Sequence, residues 1–526
     1  MTKQLTPPTF ILAPPTRVRY GVLLFACSLA MITYLDRVCL GAVAPTIQQE
    51  LGLSDGQKGM MFSAFALAYA LFEVPSGWLG DVFGPRKTLI RIVLWWSLFT
   101  ALTGSIYSSV FGTTGAFVLF IIVQFLFGMG EAGAFPNIAR SFHNWFPTSE
   151  RGFAQGMVWM SGRFAGGATP LVVTALIWKV TELEGQTVVH WRHVFWLFGI
   201  LGVVWVFFFW RWFKDRPEEK EGVNEAELML IRGKITTPAV NTDRGPLLET
   251  NIKLKELPIS SITGEDSVTL KGPAEFESRQ ANESSKPARP IESSHANVPW
   301  GKLLSSPSLW ALCFLYFCTS YGWYFNITYL PGFLQKQMKV TPEEYGRVTF
   351  GLMAGAPLLL GSLACLVGGL LTDAMIRRTG DLRWGRRLFG VIGHSVCACC
   401  YFMAIFAISA GNAWWFVASV ALAAFWNDIT MGATWATCLD IGKQYSGIVS
   451  GCMNTIGNLG GATAGAITGF IASQRFPSAN DGWTINFTIY GSVYLVAVVL
   501  WFFVDASKPI VPDIEPLAPE EEPCIG

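Results

Sequence analysis

The feature that most constrains this chain is the length of its apolar runs. Residues 22–44, 117–142 and 194–212 are each long enough to cross a bilayer as helix, which takes about 18–20 residues. A backbone in lipid has no water to bond, so such runs must satisfy their own N–H and C=O groups as helices. The first run is too long for the core of a cleaved signal and contains Asp36 and Arg37, so it is expected to remain as a spanning helix. The composition agrees: 51% of residues are apolar and 14% charged, where soluble domains carry about 25% charged. A net charge of +1 with no basic face excludes nucleic acid as a partner.

Reading apolar runs against charged punctuation predicts twelve spans, centred near Met31, Ala68, Thr100, Phe125, Gly166, Val203, Thr319, Leu359, Met403, Trp426, Asn458 and Val496. Between the sixth and seventh, residues 214–297 are rich in Glu, Lys, Ser, Thr and Pro, which predicts a largely flexible or loosely helical linker. The expected organisation is a tail (1–17), a six-helix bundle (18–213), a linker (214–300), a second six-helix bundle (301–505) and a tail (506–526).

Lysine and arginine set the orientation. One side carries Arg86, Lys87, Arg91, Arg140, Arg151, Arg377, Arg378, Arg383, Arg386, Arg387 and Lys443. The other carries Lys58, Lys179, Arg192, Lys336, Lys339, Arg347 and Arg475. Arg17, Arg19 and the linker join the richer side, so both termini and the linker are expected in the cytoplasm. Most of the 11 cysteines lie in apolar runs, and the Cys397/Cys399/Cys400 cluster has His394 as its only nearby nitrogen. They read as packing residues, and the five histidines, mostly at loops and flanks, show no ligand spacing. No metal, cofactor or catalytic group is expected.

The halves repeat each other. Gly152, Gly156, Gly162 and Gly166 recur 295 positions later as Gly447, Gly451, Gly457 and Gly461, and GRFAGGAT (162–169) parallels GNLGGAT (457–463). A loop with Gly77, Asp81, Gly84, Arg86 and Lys87 has its counterpart in Gly369, Asp373, Arg377, Gly385, Arg386 and Arg387. Repeated halves typify secondary transporters, whose site lies between them near mid-membrane.

These loops resemble the hallmark of the major facilitator superfamily. Within it YLDR (34–37), AYALFEVPSGWLGD (68–81), GMGEAGAFPNIAR (128–140), WRHVFWLFGILG (191–202) and FKDRPEE (213–219) resemble the anion:cation symporter family, whose bacterial members carry hexuronate, glucarate and galactonate. The resemblance implies an all-α membrane protein of twelve helices in two pseudo-symmetric bundles, a monomer in the bacterial inner membrane.

Ionisable groups inside these spans ask for a partner or a task. Glu131 lies nine residues from Arg140 and Arg163 twelve from Arg151, or roughly 13 and 18 Å along a helix, near the middle of the bilayer. Arg37 can hold a carboxylate by two parallel hydrogen bonds, and the resemblance places the substrate arginine there. It also implies that Asp36 and Glu131 couple protons and that Tyr69 faces inward. Substrate taking the arginine would release a carboxylate to accept a proton.

Arg163 departs from the neutral polar residue usual in the family. It is either a second anionic contact favouring diacids or the counter-ion of Glu131. As the repeat mate of Asn458 it should face the same cavity. Tyr34, Tyr324, Asn326, Trp435, Asn454 and Asn458 complete the expected substrate site, with Tyr321, Asn427 and Asp428 nearby.

Glu73, Asp81, Arg86, Lys87, Asp373 and Arg377 are assigned to cytoplasmic gating, although Glu73 replaces a more usual glutamine. The leading reading is a proton-coupled symporter of a sugar acid or similar organic anion. A uniporter, a Na+-coupled organic anion or phosphate carrier and a non-transporting receptor are the alternatives. An enzyme would need a nucleophile–base pair or metal cluster, and the sequence offers neither.

Overall fold

A computed structural model describes residues 13–53, 55–178, 191–233, 298–473 and 479–511, all helix and connecting turns. Residues 13–233 and 299–511 belong to one compact unit. The first half comprises α1 (Arg19–Leu51), α2 (Asp55–Phe83), α3 (Pro85–Thr103), α4 (Ser108–Glu131), α5 (Ala134–Trp145), α6 (Arg151–Trp178) and α7 (Trp191–Trp212). A short α8 (Glu225–Ile231) follows. The second half comprises α9 (Pro307–Thr328), α10 (Leu330–Lys336), α11 (Arg347–Thr379), α12 (Leu382–Ser409), α13 (Ala413–Asp428), α14 (Met431–Gly442), α15 (Ser446–Ser473) and α16 (Ala479–Trp501). Taking α4 with α5 and α13 with α14 as broken rods, and setting aside the short α8 and α10, the rods number twelve, six per half.

Two of the expected spans are thus not single helices. Residues 117–142 read as one largely apolar run, but α4 stops at Glu131 and the chain restarts at Ala134. Pro136 has no N–H to give and sits in the first turn of α5, where none is required. The second half breaks at the matching place, after Asp428. There the Thr430 hydroxyl donates to the Asn427 carbonyl at 2.7 Å. Thr100 and Met403 lie near helix ends rather than centres, because α3 and α12 begin within the arginine-bearing loops.

Each half has an aromatic interior, with Phe120, Trp191, Phe195 and Phe198 in the first. Phe325, Phe333, Tyr401, Phe416, Phe487 and Tyr490 pack in the second. His394 is not at a flank: it is fully buried, accepts from Trp501 Nε1 at 3.1 Å through Nδ1 and pairs with the Thr319 hydroxyl through Nε2.

The halves meet along α2 with α15 and α6 with α11. The glycine repeat explains how. A Cβ on Gly77 would sit 2.8 Å from the Gly447 carbonyl carbon, and one on Gly369 would sit 2.9 Å from that of Gly152. Both crossings therefore need bare backbone.

Beside each crossing a carboxylate of one half caps a helix of the other. Asp81 accepts from the Gly447 and Ile448 N–H groups at 3.0 and 2.8 Å. Asp373 accepts from those of Gly152 and Phe153 at 3.1 and 2.6 Å. Negative charge at a helix N-terminus meets unpaired N–H donors and the positive end of the dipole. Arg140 lies 3.5 Å from Asp81. Arg386 bonds Asp373 at 2.8 Å and Asp440 at 3.1 Å, and Asp440 also takes Arg151 of the first half at 2.8 Å. Arg377 adds a bond to the Ser149 carbonyl at 3.0 Å.

These contacts close one end of the molecule, the end holding residues 13–18 and 214–233. Arg86 is not among them. Its N–H donates to Asp215 at 2.7 Å and its side chain to the Trp210 carbonyl, both within the first half. Lys87 is exposed. Asp215 thus caps α3, and Gly84 (φ +86°) leaves the room: a Cβ there would lie 2.8 Å from its carboxylate. Burial pushes the Asp215 carboxyl up, and the Arg86 N–H pulls it partly back.

The beginning of the expected linker is ordered. Asn224 caps α8 through the Glu227 N–H at 2.9 Å. Glu227, fully buried, accepts from the Thr16 hydroxyl at 2.5 Å and from Arg19 Nη1 at 2.9 Å. Arg19 also bonds Glu150 at 2.8 Å. Ala226 and Leu230 are also buried on this helix, but so short an apolar face among charged residues gives little periodicity to read. Residues 234–297 and 512–526 lie outside the described residues.

Replacing Glu227 by Ala leaves Arg19 with Glu150 alone and removes the acceptor of the Thr16 hydroxyl, at a cost of about 1–3 kcal/mol. Faster proteolysis within 214–233 and a lower unfolding temperature are the expected readouts. Asp81→Asn and Asp373→Asn each weaken a two-bond cap by about 1–2 kcal/mol. In a background free of other cysteines, either should speed thiol labelling of a cysteine replacing buried Ser450 by roughly five- to thirtyfold.

Candidate functional site

At the level of the two helix breaks lie three polar clusters, two built on buried charges and one in which Arg37 is half-buried. Arg37 on α1 donates Nε to Glu131 Oε1 at 2.7 Å. Its guanidinium lies over the Tyr69 ring at 4.4 Å and the Phe65 ring at 5.4 Å. No carboxylate or carbonyl accepts from its Nη2. Glu131 reaches it as the last residue of α4, and its second oxygen has no hydrogen bond. Glu131 thus holds the Arg37 fork through Nε, with the Tyr69 hydroxyl also within reach of the guanidinium.

The second pair joins the halves. Glu73 on α2 accepts from Asn454 and, at 3.3 Å, from Asn458, both on α15. Glu73 is fully buried at this level. It lies two turns from Asp81 along α2, level with Asn454 and Asn458 rather than with the aspartate caps. Tyr324 is within electrostatic reach of Glu73 and Arg37, with its ring against Gly461.

The third pair also crosses. Arg163 on α6 meets Asp428 on α13 with Nε–Oδ2 and Nη2–Oδ1 both at 2.8 Å. Its counter-ion is thus Asp428 and not Glu131, the partner considered from sequence. Asn427 donates to Asp428 at 2.8 Å, and the Tyr494 hydroxyl donates to Asn427 at 2.9 Å, fixing the carboxylate from within the second half. The Arg163 guanidinium lies 4.2 Å from the centre of the Trp323 ring. Tyr34 stands between the two arginines, within electrostatic reach of both and with its ring against Gly162.

Repeat symmetry relates these positions. Asp81 and Asp373 are 292 positions apart, and the same step takes Glu73 to Cys365, whose thiol contacts Arg163. Arg163 and Asn458 are mates by the 295-residue step. Glu73 with Asn458 and Cys365 with Arg163 are therefore one arrangement used twice.

An aromatic floor separates the pairs from the closed end. Phe135 stacks on Trp159 at 4.8 Å, Trp159 meets Trp435 at 5.1 Å, and Trp435 Nε1 donates to the Tyr316 hydroxyl at 3.2 Å. Trp435 is fully buried there.

Asn326 differs from expectation. It is buried beside Tyr401 within the second bundle, and Tyr321 likewise belongs to that core. Asp36, next to Arg37, lines a cavity of about 130 Å³ inside the first bundle, with Thr100, Thr103, Gln124, Phe62, Phe65 and Phe127. Both its carboxylate oxygens lack a hydrogen-bond partner. Trp323, Trp159, Tyr316 and Gln124 were not singled out from sequence, because an aromatic or amide inside an apolar run looks like packing. Among the described residues no cluster of His, Cys, Asp and Glu could hold a metal.

Residues 26–465 match the family model described as Major Facilitator Superfamily. The chain is similar to a probable sulfoacetate transporter of Cupriavidus necator, 28% identical over 93% of this chain and 94% of the relative. A probable galactarate/D-glucarate transporter of Escherichia coli K12 is 27% identical over 93% of both chains. A D-galactonate transporter of Escherichia coli O6:H1 is 27% identical over 88% of this chain and 90% of the relative. Among solved structures, the proton:xylose symporter XylE superposes with a TM-score of 0.62 at 14% identity, covering 93% of this chain and 97% of its own. Sequence over most of its length and the arrangement of its helices agree: this chain belongs to the Major Facilitator Superfamily.

Proposed function

We propose that this protein is a secondary active transporter that carries a sugar acid or similar organic anion with protons, by alternating access, across a bacterial inner membrane. The observation that carries the reading is Arg37, a carboxylate-shaped fork at the centre of the molecule that gives Nε to one oxygen of Glu131 and has no carboxylate or carbonyl on Nη2. The relatives named for sulfoacetate, galactarate, glucarate and galactonate all handle acids that such a fork would grip.

The closed end is read as cytoplasmic, with both termini and the linker there, in keeping with the lysine and arginine bias. Substrate then arrives from the opposite side. Its carboxylate takes Arg37, Glu131 loses its partner, and a proton neutralises the freed carboxylate, since a bare charge in mid-membrane is costly. Glu73 and its asparagines offer acceptors and donors to the hydroxyls of the solute. Asp36, a carboxyl with no partner in its own cavity, is the second proton site. The Thr100, Thr103 and Gln124 oxygens around that cavity also suit a sodium ion, so sodium coupling is the reading to exclude.

Uptake into proteoliposomes with opposed pH and sodium gradients decides the coupling ion. Acceleration by inward protons without sodium is expected, and a strict sodium requirement reverses the assignment. Arg37→Gln is expected to cut uptake at least a hundredfold for every acid carried; equal uptake removes the carboxylate clamp. Glu131→Gln should abolish accumulation driven by the pH gradient and spare exchange of substrate for substrate. Loss of both activities together would make Glu131 structural.

A further inference from the structure

We infer that Arg163 is a second anion-binding group, occupied in the empty carrier by the protein's own Asp428, and that the preferred substrate carries an acidic group for each arginine. The inference rests on the transporter reading above and adds the substrate class to it.

Arg163 donates Nη2 to Asp428 Oδ1 at 2.8 Å, while Nε lies 2.8 Å from Oδ2 without completing a second hydrogen bond, so an acidic group of the solute placed there would gain a bond that Asp428 does not make. The two residues come from opposite halves, so the contact lies on the surface along which the halves move. A fixed strut inside one bundle could keep its partner through the cycle. A pair divided between the halves must be remade or replaced when they rock. Once Asp428 withdraws, Arg163 stands as an unpaired charge in mid-membrane, a state too costly to populate without another anion. A second acidic group on the solute supplies it.

Three further observations favour a ligand over a strut. Nη1 of Arg163 has no oxygen acceptor, so the guanidinium is not saturated by Asp428. The half-buried Trp323 lies against the guanidinium and covers it on one side. Tyr34 packs against Gly162, the residue before Arg163, and lies one turn from Arg37 on α1. Tyr34 thus stands within electrostatic reach of both arginines, where a solute bound to one would extend toward the other.

Symmetry supports the pairing of roles. Glu131 and Asp428 each end the first segment of a broken rod, and each faces an arginine. In each half of the chain a carboxylate thus stands in for a substrate anion, Glu131 on Arg37 and Asp428 on Arg163.

The test is binding of sulfoacetate and D-glucarate, with two acidic groups, against D-galactonate, with one, followed by tryptophan fluorescence of the purified full-length protein. The wild type should prefer the two-acid compounds at least tenfold. Arg163→Gln should reduce the ratio of two-acid to one-acid affinity at least tenfold. Asp428→Asn, which removes the internal competitor, should tighten both two-acid compounds. If Arg163→Gln fails to fold, the Arg163→Gln/Asp428→Asn double variant, which leaves no charge stranded, is expected to show the same reduced ratio.

A ratio unchanged in the foldable Arg163 variant overturns the inference. So does a wild type that carries D-galactonate but does not prefer either two-acid compound, an outcome that leaves the transporter reading intact. Failure to bind any of the three, with Arg37→Gln indistinguishable from wild type, would overturn both.

Discussion

Charge cannot stand alone in hydrocarbon, and the centre of this molecule is arranged around that constraint. Arg37 is answered by Glu131, Arg163 by Asp428, and Glu73 by two asparagines. Two of these three contacts run between the halves. The groups that hold the bundles together at mid-membrane are thus the groups a polar solute would need. Binding and joining are done by the same atoms, so a solute that engages one must loosen the other. Asp36 is the exception, a buried carboxyl facing a small cavity of its own bundle rather than a partner.

Away from the centre, close approach does what charge does inside. The bare backbones at Gly77 with Gly447 and Gly152 with Gly369 bring each carboxylate within reach of the facing helix N-terminus. A methyl group at any of these four positions would push the aspartate off the N–H groups it caps. Small residues and caps are one device: the first makes the distance at which the second works.

Much of this was legible in the sequence. Hydropathy and the duplicated glycines gave the number of rods and the halves, because both are properties of a residue and its spacing. The central arginines and acids stood out because lipid makes them expensive wherever they point. Partners were harder. Arg163 could be placed in depth from its distance to Arg151, but the choice between Glu131 and Asp428 depends on helix rotation, which one sequence does not encode locally. Glu73 is grouped by sequence with the gating charges near the aspartate loop, although it replaces a more usual glutamine. Two helical turns lie between them, and those turns carry it to the level of Asn454 and Asn458. The break after Glu131 was marked only by Gly130, Gly133 and Pro136, which a count of apolar residues passes over, and α8 was too short to show more than a loosely helical tendency.

The two reciprocal caps are alike in plan but not in what backs them. Asp373 is backed by Arg386 at 2.8 Å, which is itself tied through Asp440 to Arg151. Asp81 is backed by Arg140 at the longer distance of 3.5 Å. Rocking halves latched at two unlike corners do not separate evenly. The corner between α6 and α11 is tied by ions, and that between α2 and α15 adds the Glu73 bonds to Asn454 and Asn458, so the two corners would answer differently to a solute that engages Glu73. A motion usually drawn as symmetric would then have a leading edge, on the side where Glu73 also crosses between the halves.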